Sequence, residues 1–255
     1  MRGYGGSDKP PEVADYTLEK IAGDLVGLAD ALQPNAPAIL VGHDWGAPIV
    51  WNTALTHPDR FHAVAGLSVP FAGVPSRPFT DVFREHFTDK GKFFYQEYFQ
   101  QPGVAETEAD ADPQGFVHRM MYSICGDVPP GAYWDKPLGA TFLEGLPDPQ
   151  PVPWLTDEDI AFYGNEFSAS GFRGPLNRYR NHERDYEWLQ GWKARGWRKA
   201  DKKEVEHRDL WELIDQEMQK REIRFQWVRG HSGDTGNERA DTLACRGANG
   251  ECISE

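Results

Sequence analysis

Apolar positions first recur at helical spacing over Leu18, Ile21, Leu25, Leu28 and Leu32, which share one face. Thr17 ahead of them has a hydroxyl able to cap, so the pattern predicts a helix through about Gln33, ended by Pro34 to Pro37. Ala38 to Val41 is a short apolar run of the kind found in a buried parallel strand. A helical pattern follows to about Thr56, closed by His57-Pro58-Asp59, and Phe61 to Val69 reads as the next strand. Helix, strand, helix, strand is part of a doubly wound α/β sheet. Residues 1–16 are a Gly/Pro-rich loop with no strand pattern ahead of it.

From Pro70 to about Pro153 the periodicity gives way to an irregular stretch rich in aromatics and proline, with an acidic loop expected over Glu106 to Asp112. Thr156 and Asp159 form a capping box with Asp in place of Glu and open a helix whose Ile160, Tyr163 and Phe167 share a face. A cap of helices over an active site is the assignment, spanning about 72–187. After Trp188 the vocabulary changes. An amphipathic helix is expected over Leu210 to Lys220 and a strand over Ile223 to Val228. The loop Arg229-Gly230-His231-Ser232-Gly233 follows, and a last helix begins near Asn237.

A length of 255 residues fits one domain or two, and composition alters the picture only where it is uneven. A net charge of -13 argues against a protein built to coat nucleic acid or acidic lipid. Yet Lys193, Arg195, Arg198, Lys199, Lys202 and Lys203 crowd around one acid, Asp201, which hints at two origins. Cys125, Cys245 and Cys252 are odd in number and lack ligand spacing, so free thiols are expected. With no apolar run of membrane-spanning length and no signal-peptide core, a soluble cytoplasmic protein without a membrane partner is expected.

The chemistry concentrates at Ile39-Leu40-Val41-Gly42-His43-Asp44-Trp45-Gly46, where an apolar run breaks at Gly-x-Asp-x-Gly and resumes as a helix. That is the strand, sharp turn and helix of a nucleophile elbow, with Asp44 as the exposed residue. A carboxylate suits displacement at saturated carbon, which points to epoxides or alkyl halides. Arg2 to Pro10 (RGYGGSDKP), Gly42 to Ala47 (GHDWGA), Leu67 to Phe71 (LSVPF), Tyr95 to Glu106 (YQEYFQQPGVAE) and Gly171 to Arg184 (GFRGPLNRYRNHER) resemble the epoxide hydrolases of the α/β-hydrolase superfamily in order and spacing. The resemblance runs from residue 1 to about Trp188. It implies a small-molecule epoxide as substrate, no cofactor, Asp44 as nucleophile, and Tyr95 and Tyr179 as donors to the leaving oxygen. It also makes the Trp45 backbone N–H a donor that stabilises charge at the nucleophile. The two tyrosines favour an epoxide over a halide. The family's oxyanion loop stands upstream of its Arg-Gly-Tyr-Gly segment, and its water-activating acid and histidine stand downstream of its cap. The expectation is therefore a partial α/β-hydrolase fold over 1–187 that forms an alkyl ester and completes at most one turnover. A sheet of two strands should also leave apolar faces and edges open and favour aggregation.

Residues 188–255 carry a tryptophan pair, an Ala-Asp-Lys-Lys turn, a Trp-Val-x-Gly-His loop and an Asn-Glu-Arg-x-Asp helix. Together these resemble the C-terminal part of a type 1 bacterial ribonuclease H. The resemblance implies a partial ribonuclease H-like fold acting on an RNA-DNA hybrid, with Asp241 as one magnesium ligand and His231 as the mobile histidine. The family's other carboxylates have no counterpart, so cleavage is expected to be incomplete. Trp192, Lys193, Arg195, Trp197, Lys202 and Lys203 are candidates for weak, salt-sensitive nucleic-acid binding, against the alternative of tryptophans packed inward.

Overall fold

The computed structural model describes residues 1–196 apart from 72 and 130–132, and beyond them residues 212, 216, 233, 235, 238, 239, 242 and 246. The chain divides into a compact unit, Met1–Trp211, and a second unit, Glu212–Glu255. In the second unit Glu212 and Gln216 are helical, as are Thr235, Glu238, Arg239, Thr242 and Arg246. The expected strand over 223–228 lies outside the described residues.

The first unit opens as its apolar pattern dictates. Helix α1 (Leu18–Leu32) starts at Thr17, whose side chain accepts the Lys20 N–H. Strand β1 (Ala38–His43) and strand β2 (Phe61–Leu67) pair in parallel, from Leu40 opposite Val64 to His43 opposite Leu67, and helix α2 (Gly46–Thr56) crosses between them. Leu40, Val50, Ala54 and Phe61 are buried together where α2 covers one face of this two-stranded sheet. The other face is open: Ile39 is 61% exposed, Val41 67% and Leu67 49%, consistent with the unsupported sheet anticipated above.

The stretch after β2 is more helical than its sequence suggests. It holds α3 (Phe79–His86), α4 (Tyr95–Tyr98), α5 (Val104–Ala111) and α6 (Pro113–Ser123). The acidic loop expected over Glu106 to Asp112 is a helix instead, because its acids are used as caps. The Glu106 Oε2 accepts the Gly103 N–H at 2.8 Å, and the Asp112 Oδ1 accepts the Gly115 N–H at 3.0 Å. Helix α7 (Asp157–Ser170) begins at the Thr156–Asp159 box as expected. Its face is not the one expected: Ile160 is buried, but Tyr163 is exposed, since buried Gly164 rather than Tyr163 meets α6 at Gln114. The cap core is aromatic, with Phe99, Phe116, Phe142 and Phe172 packed around Ala105, Ala109 and Leu176.

Helices α8 (Arg173–Tyr179) and α9 (His182–Ala194) return the chain to α1 and α2. The division expected at 187/188 falls inside α9, which continues unbroken through it. Trp188 packs against Leu18, Ile21 and Ile49, and Trp192 is buried against Leu55. Among the described residues no helix is long and apolar enough to cross a membrane, and Cys125 is a free, half-buried thiol.

Candidate active site

Asp44 stands at the end of β1 with φ of 51°, a left-handed conformation that costs a residue other than glycine about 1–3 kcal/mol. The turn closes on backbone: the Asp44 N–H donates to the Leu67 carbonyl at 3.3 Å and the Ala47 N–H to the Asp44 carbonyl at 3.0 Å. Gly42 is required by close approach, since a Cβ there would lie 2.2 Å from the Gly46 oxygen. The same holds at Gly66, where a Cβ would meet the Trp51 indole at 2.6 Å. The Trp51 indole N–H donates to the Val69 carbonyl at 3.0 Å, tying α2 to the loop after β2. The carboxylate is left exposed on the cavity side of the turn.

Asp44 opens into a cavity of about 370 Å³. Its walls are Trp45, Pro48 and Trp51 from the elbow and α2, Val69 to Phe71 from the following loop, Phe79 and Phe83 from α3, and Tyr95 from α4. Arg178, His182 and Asp185 complete it from α8 and α9. Such a mostly apolar chamber with few polar groups suits a small organic substrate.

The two tyrosines expected to serve the leaving oxygen are brought together here. Tyr95 lines the cavity with Asp44, and Tyr179 meets Tyr95 edge to face at 6.1 Å between ring centroids. Burial raises the Tyr95 phenol above its ordinary pKa, the Gln96 amide opposes this, and the Asp44 charge adds to it. Burial also raises Tyr179, with Tyr95, Tyr4 and Asp44 adding and a hydrogen bond to the Trp45 side chain opposing. Both phenols therefore stay protonated and able to donate. Trp45 is the N-cap of α2, so its N–H sits at the positive end of that helix directly after the nucleophile.

Sequence reasoning missed three wall residues. Arg178 and Asp185 form a buried ion pair at 2.6 Å, and the Arg178 guanidinium lies 4.8 Å from the centre of the Trp45 ring. The other Asp185 oxygen accepts the Leu18 N–H at 2.8 Å. His182 is 6% exposed, wedged between the rings of Trp45, Phe79 and Phe83, and its Nε2 has no hydrogen-bond partner. Burial, then the Arg178 charge, push its pKa down to about 4. The ion pair had no legible signal, since residues seven apart on one helix lie two turns apart and these two meet because the chain turns between α8 and α9. The burial of His182 had none.

The candidates for nucleic-acid contact fare differently. Trp192, at 5% exposed, lies in the core with Leu55, so its ring is not on the surface to stack on a base; the inward-packed alternative holds for it. Lys193 is half-buried, and Arg195, at the C-cap of α9, is exposed. Trp197, Lys202, Lys203, His231 and Asp241 lie outside the described residues. Among the described residues no three acidic, His or Cys side chains are grouped to hold a metal ion. Asp185, near the start of the ribonuclease-like stretch, is already engaged by Arg178 and the Leu18 N–H.

Comparison with known proteins places two families along the chain. Residues 1–106 match the family described as alpha/beta hydrolase fold, and residues 184–249 match the family described as RNase H. Epoxide hydrolase A of Mycobacterium tuberculosis is 41% identical over 190 residues, covering 73% of this chain and 58% of that protein. Bifunctional epoxide hydrolase 2 of Sus scrofa is 40% identical over 194 residues, 74% of this chain and 33% of that protein. The crystal structure of epoxide hydrolase A from Mycobacterium thermoresistibile superposes with a TM-score of 0.70 at 41% identity, over 76% of this chain and 60% of the other. This chain thus spans about 60% or less of these relatives' lengths. Over the matched residues it has the α/β-hydrolase fold and is similar to epoxide hydrolases.

Proposed function

We propose that this α/β-hydrolase portion, similar over most of the chain to epoxide hydrolases, opens small epoxides by covalent attack of Asp44. An Asp44 carboxylate oxygen bonds to one ring carbon and the bond from that carbon to the ring oxygen breaks. The electron pair goes to the oxygen, which takes a proton from Tyr95 or Tyr179; the phenol recovers it from solvent. The product is a hydroxyalkyl ester on Asp44. The observation carrying this reading is the left-handed Asp44 facing a cavity it shares with Tyr95, backed by Tyr179. Trp45 N–H, beside the carboxylate, supports charge there.

Hydrolysis of the ester needs a base with a pKa near the working pH. The imidazole among the described cavity residues is His182, and with a pKa of about 4 it is a weak one. The reading is therefore of one turnover, with the ester retained. Intact-mass spectrometry after incubation with a small aryl epoxide is expected to show one added epoxide mass, mapped to Asp44. Absence of both adduct and diol would overturn attack by Asp44, and sustained diol release would overturn the single turnover.

For residues 184–249, matched by the family described as RNase H, hybrid binding or cleavage is the second reading. Magnesium-dependent scission of a labelled RNA-DNA hybrid, lost on Asp241→Asn, would establish cleavage. Salt-sensitive retention of the intact hybrid would establish a binding remnant.

A further inference from the structure

We propose that Arg178 is a positioning residue that holds Trp45, and through it the elbow bearing Asp44, in register with Tyr179. This rests on the reading of Asp44 as nucleophile. Asp44 has a left-handed backbone conformation that backbone hydrogen bonds hold on either side, and the side chain next to it is held as well. The neighbouring Trp45 ring is gripped by two consecutive residues. Arg178 lies over its face at 4.8 Å, and Tyr179 meets it edge-on with centroids 5.2 Å apart.

The guanidinium is itself fixed. One terminal nitrogen donates to the Tyr16 carbonyl at 2.9 Å and the other to Asp185 at 2.6 Å, while Asp185 accepts from the N–H that begins α1. The side chains of the pair are 5% and 8% exposed, so these bonds form away from competing water. One planar cation thus joins the start of α1, the α8–α9 corner and the residue next to the nucleophile. A lysine could keep the charge but not the flat, forked contact with both indole and carboxylate. Because Tyr179 is the next residue along, a shift in Arg178 moves donor and nucleophile relative to each other.

The test compares Arg178→Lys, and an apolar replacement of the whole pair, Arg178→Met with Asp185→Leu, against the unsubstituted chain. The second variant leaves no buried charge unpaired, which protects the fold. Two readouts are taken: the rate and final stoichiometry of Asp44 alkylation by a small aryl epoxide, and the fluorine resonance of Trp45 in 5-fluorotryptophan-labelled protein, assigned by its loss in Trp45→Phe. The expected result is full stoichiometry reached about 10- to 100-fold more slowly, with a displaced Trp45 resonance. Rates within about twofold of the unsubstituted chain, or an unmoved resonance, would overturn the assignment. So would reduced stoichiometry at an unchanged rate, or loss of the fold in both variants, since either makes Arg178 a folding residue only. If the unsubstituted chain forms no adduct, the nucleophile reading fails and the Trp45 resonance alone decides the role of Arg178.

Discussion

Arg180 and Glu106 meet in the cap as a two-pronged ion pair, Nη1 to Oε1 at 2.6 Å and Nη2 to Oε2 at 2.8 Å, with both side chains nearly inaccessible. The same guanidinium donates through Nε to the Phe99 carbonyl at 2.8 Å. One side chain thus joins α8 to the α4–α5 corner, beside the tyrosine that backs the cavity. Removing it strands a buried carboxylate. Arg180→Met is expected to destabilise the first unit by about 3–5 kcal/mol, read by chemical denaturation.

The pair also sets an acid limit. Burial alone pushes the Glu106 carboxyl up, but Arg180 and the backbone N–H groups override it and hold the group below its usual range. A depressed folded-state value stabilises above the unfolded-state pKa and is lost as pH falls through the folded one. Amide exchange in α5 is expected to accelerate below about pH 4, the ordinary carboxylate range, and Glu106→Gln to remove that step.

His182 acts in a different window. Its imidazole is buried neutral with a pKa of about 4 against an ordinary 6.5, so the unfolded chain takes up the proton first. Stability is complete above about pH 6.5 and declines as pH falls toward the folded value, by a total on the order of 3 kcal/mol. A melting series over that range is expected to show the decline, and His182→Phe to flatten it.

Alkylation should separate the residues of the centre. Asp44→Asn is expected to abolish the epoxide adduct while leaving the melt unchanged or raised. Tyr95→Phe and Tyr179→Phe are each expected to slow adduct formation by about 100-fold or more, because the departing oxygen then loses a proton donor. Equal rates in the unsubstituted chain and the double phenylalanine variant would remove the tyrosines from the chemistry.

Gly42→Ala places a methyl 2.2 Å from the Gly46 oxygen, a backbone atom unable to yield, and 2.7 Å from a Val50 methyl. A cost of about 1–3 kcal/mol and loss of Asp44 reactivity are expected together.

The open sheet face gives a solubility prediction. Ile39→Thr with Val41→Thr keeps β-propensity while removing exposed apolar surface, so soluble yield is expected to rise with adduct formation unchanged. Size-exclusion chromatography and intact mass read the two outcomes.

Local pattern was enough for much of this molecule. The spacing of Leu18 to Leu32 specified α1, the Gly-x-Asp-x-Gly turn specified the elbow, and the Thr156 box specified the start of α7, because each depends on residues a few positions apart. Tyr95 and Tyr179 were legible as a pair only through the motifs around them. What sequence could not convey was which charges would be buried and by whom. Glu106 looks like one acid in an acidic loop until Arg180, 74 residues later, turns it into a cap and an ion pair. Asp185 likewise seemed unassigned, and Trp192 a candidate for a surface. Their roles depend on α9 lying against α1 and α2, which brings the Leu18 N–H to Asp185 and Leu55 to Trp192. Periodicity and turn chemistry act over single turns of backbone, so the chain alone settled them; desolvation and long-range pairing exist only once distant segments touch, so the folded structure decided them.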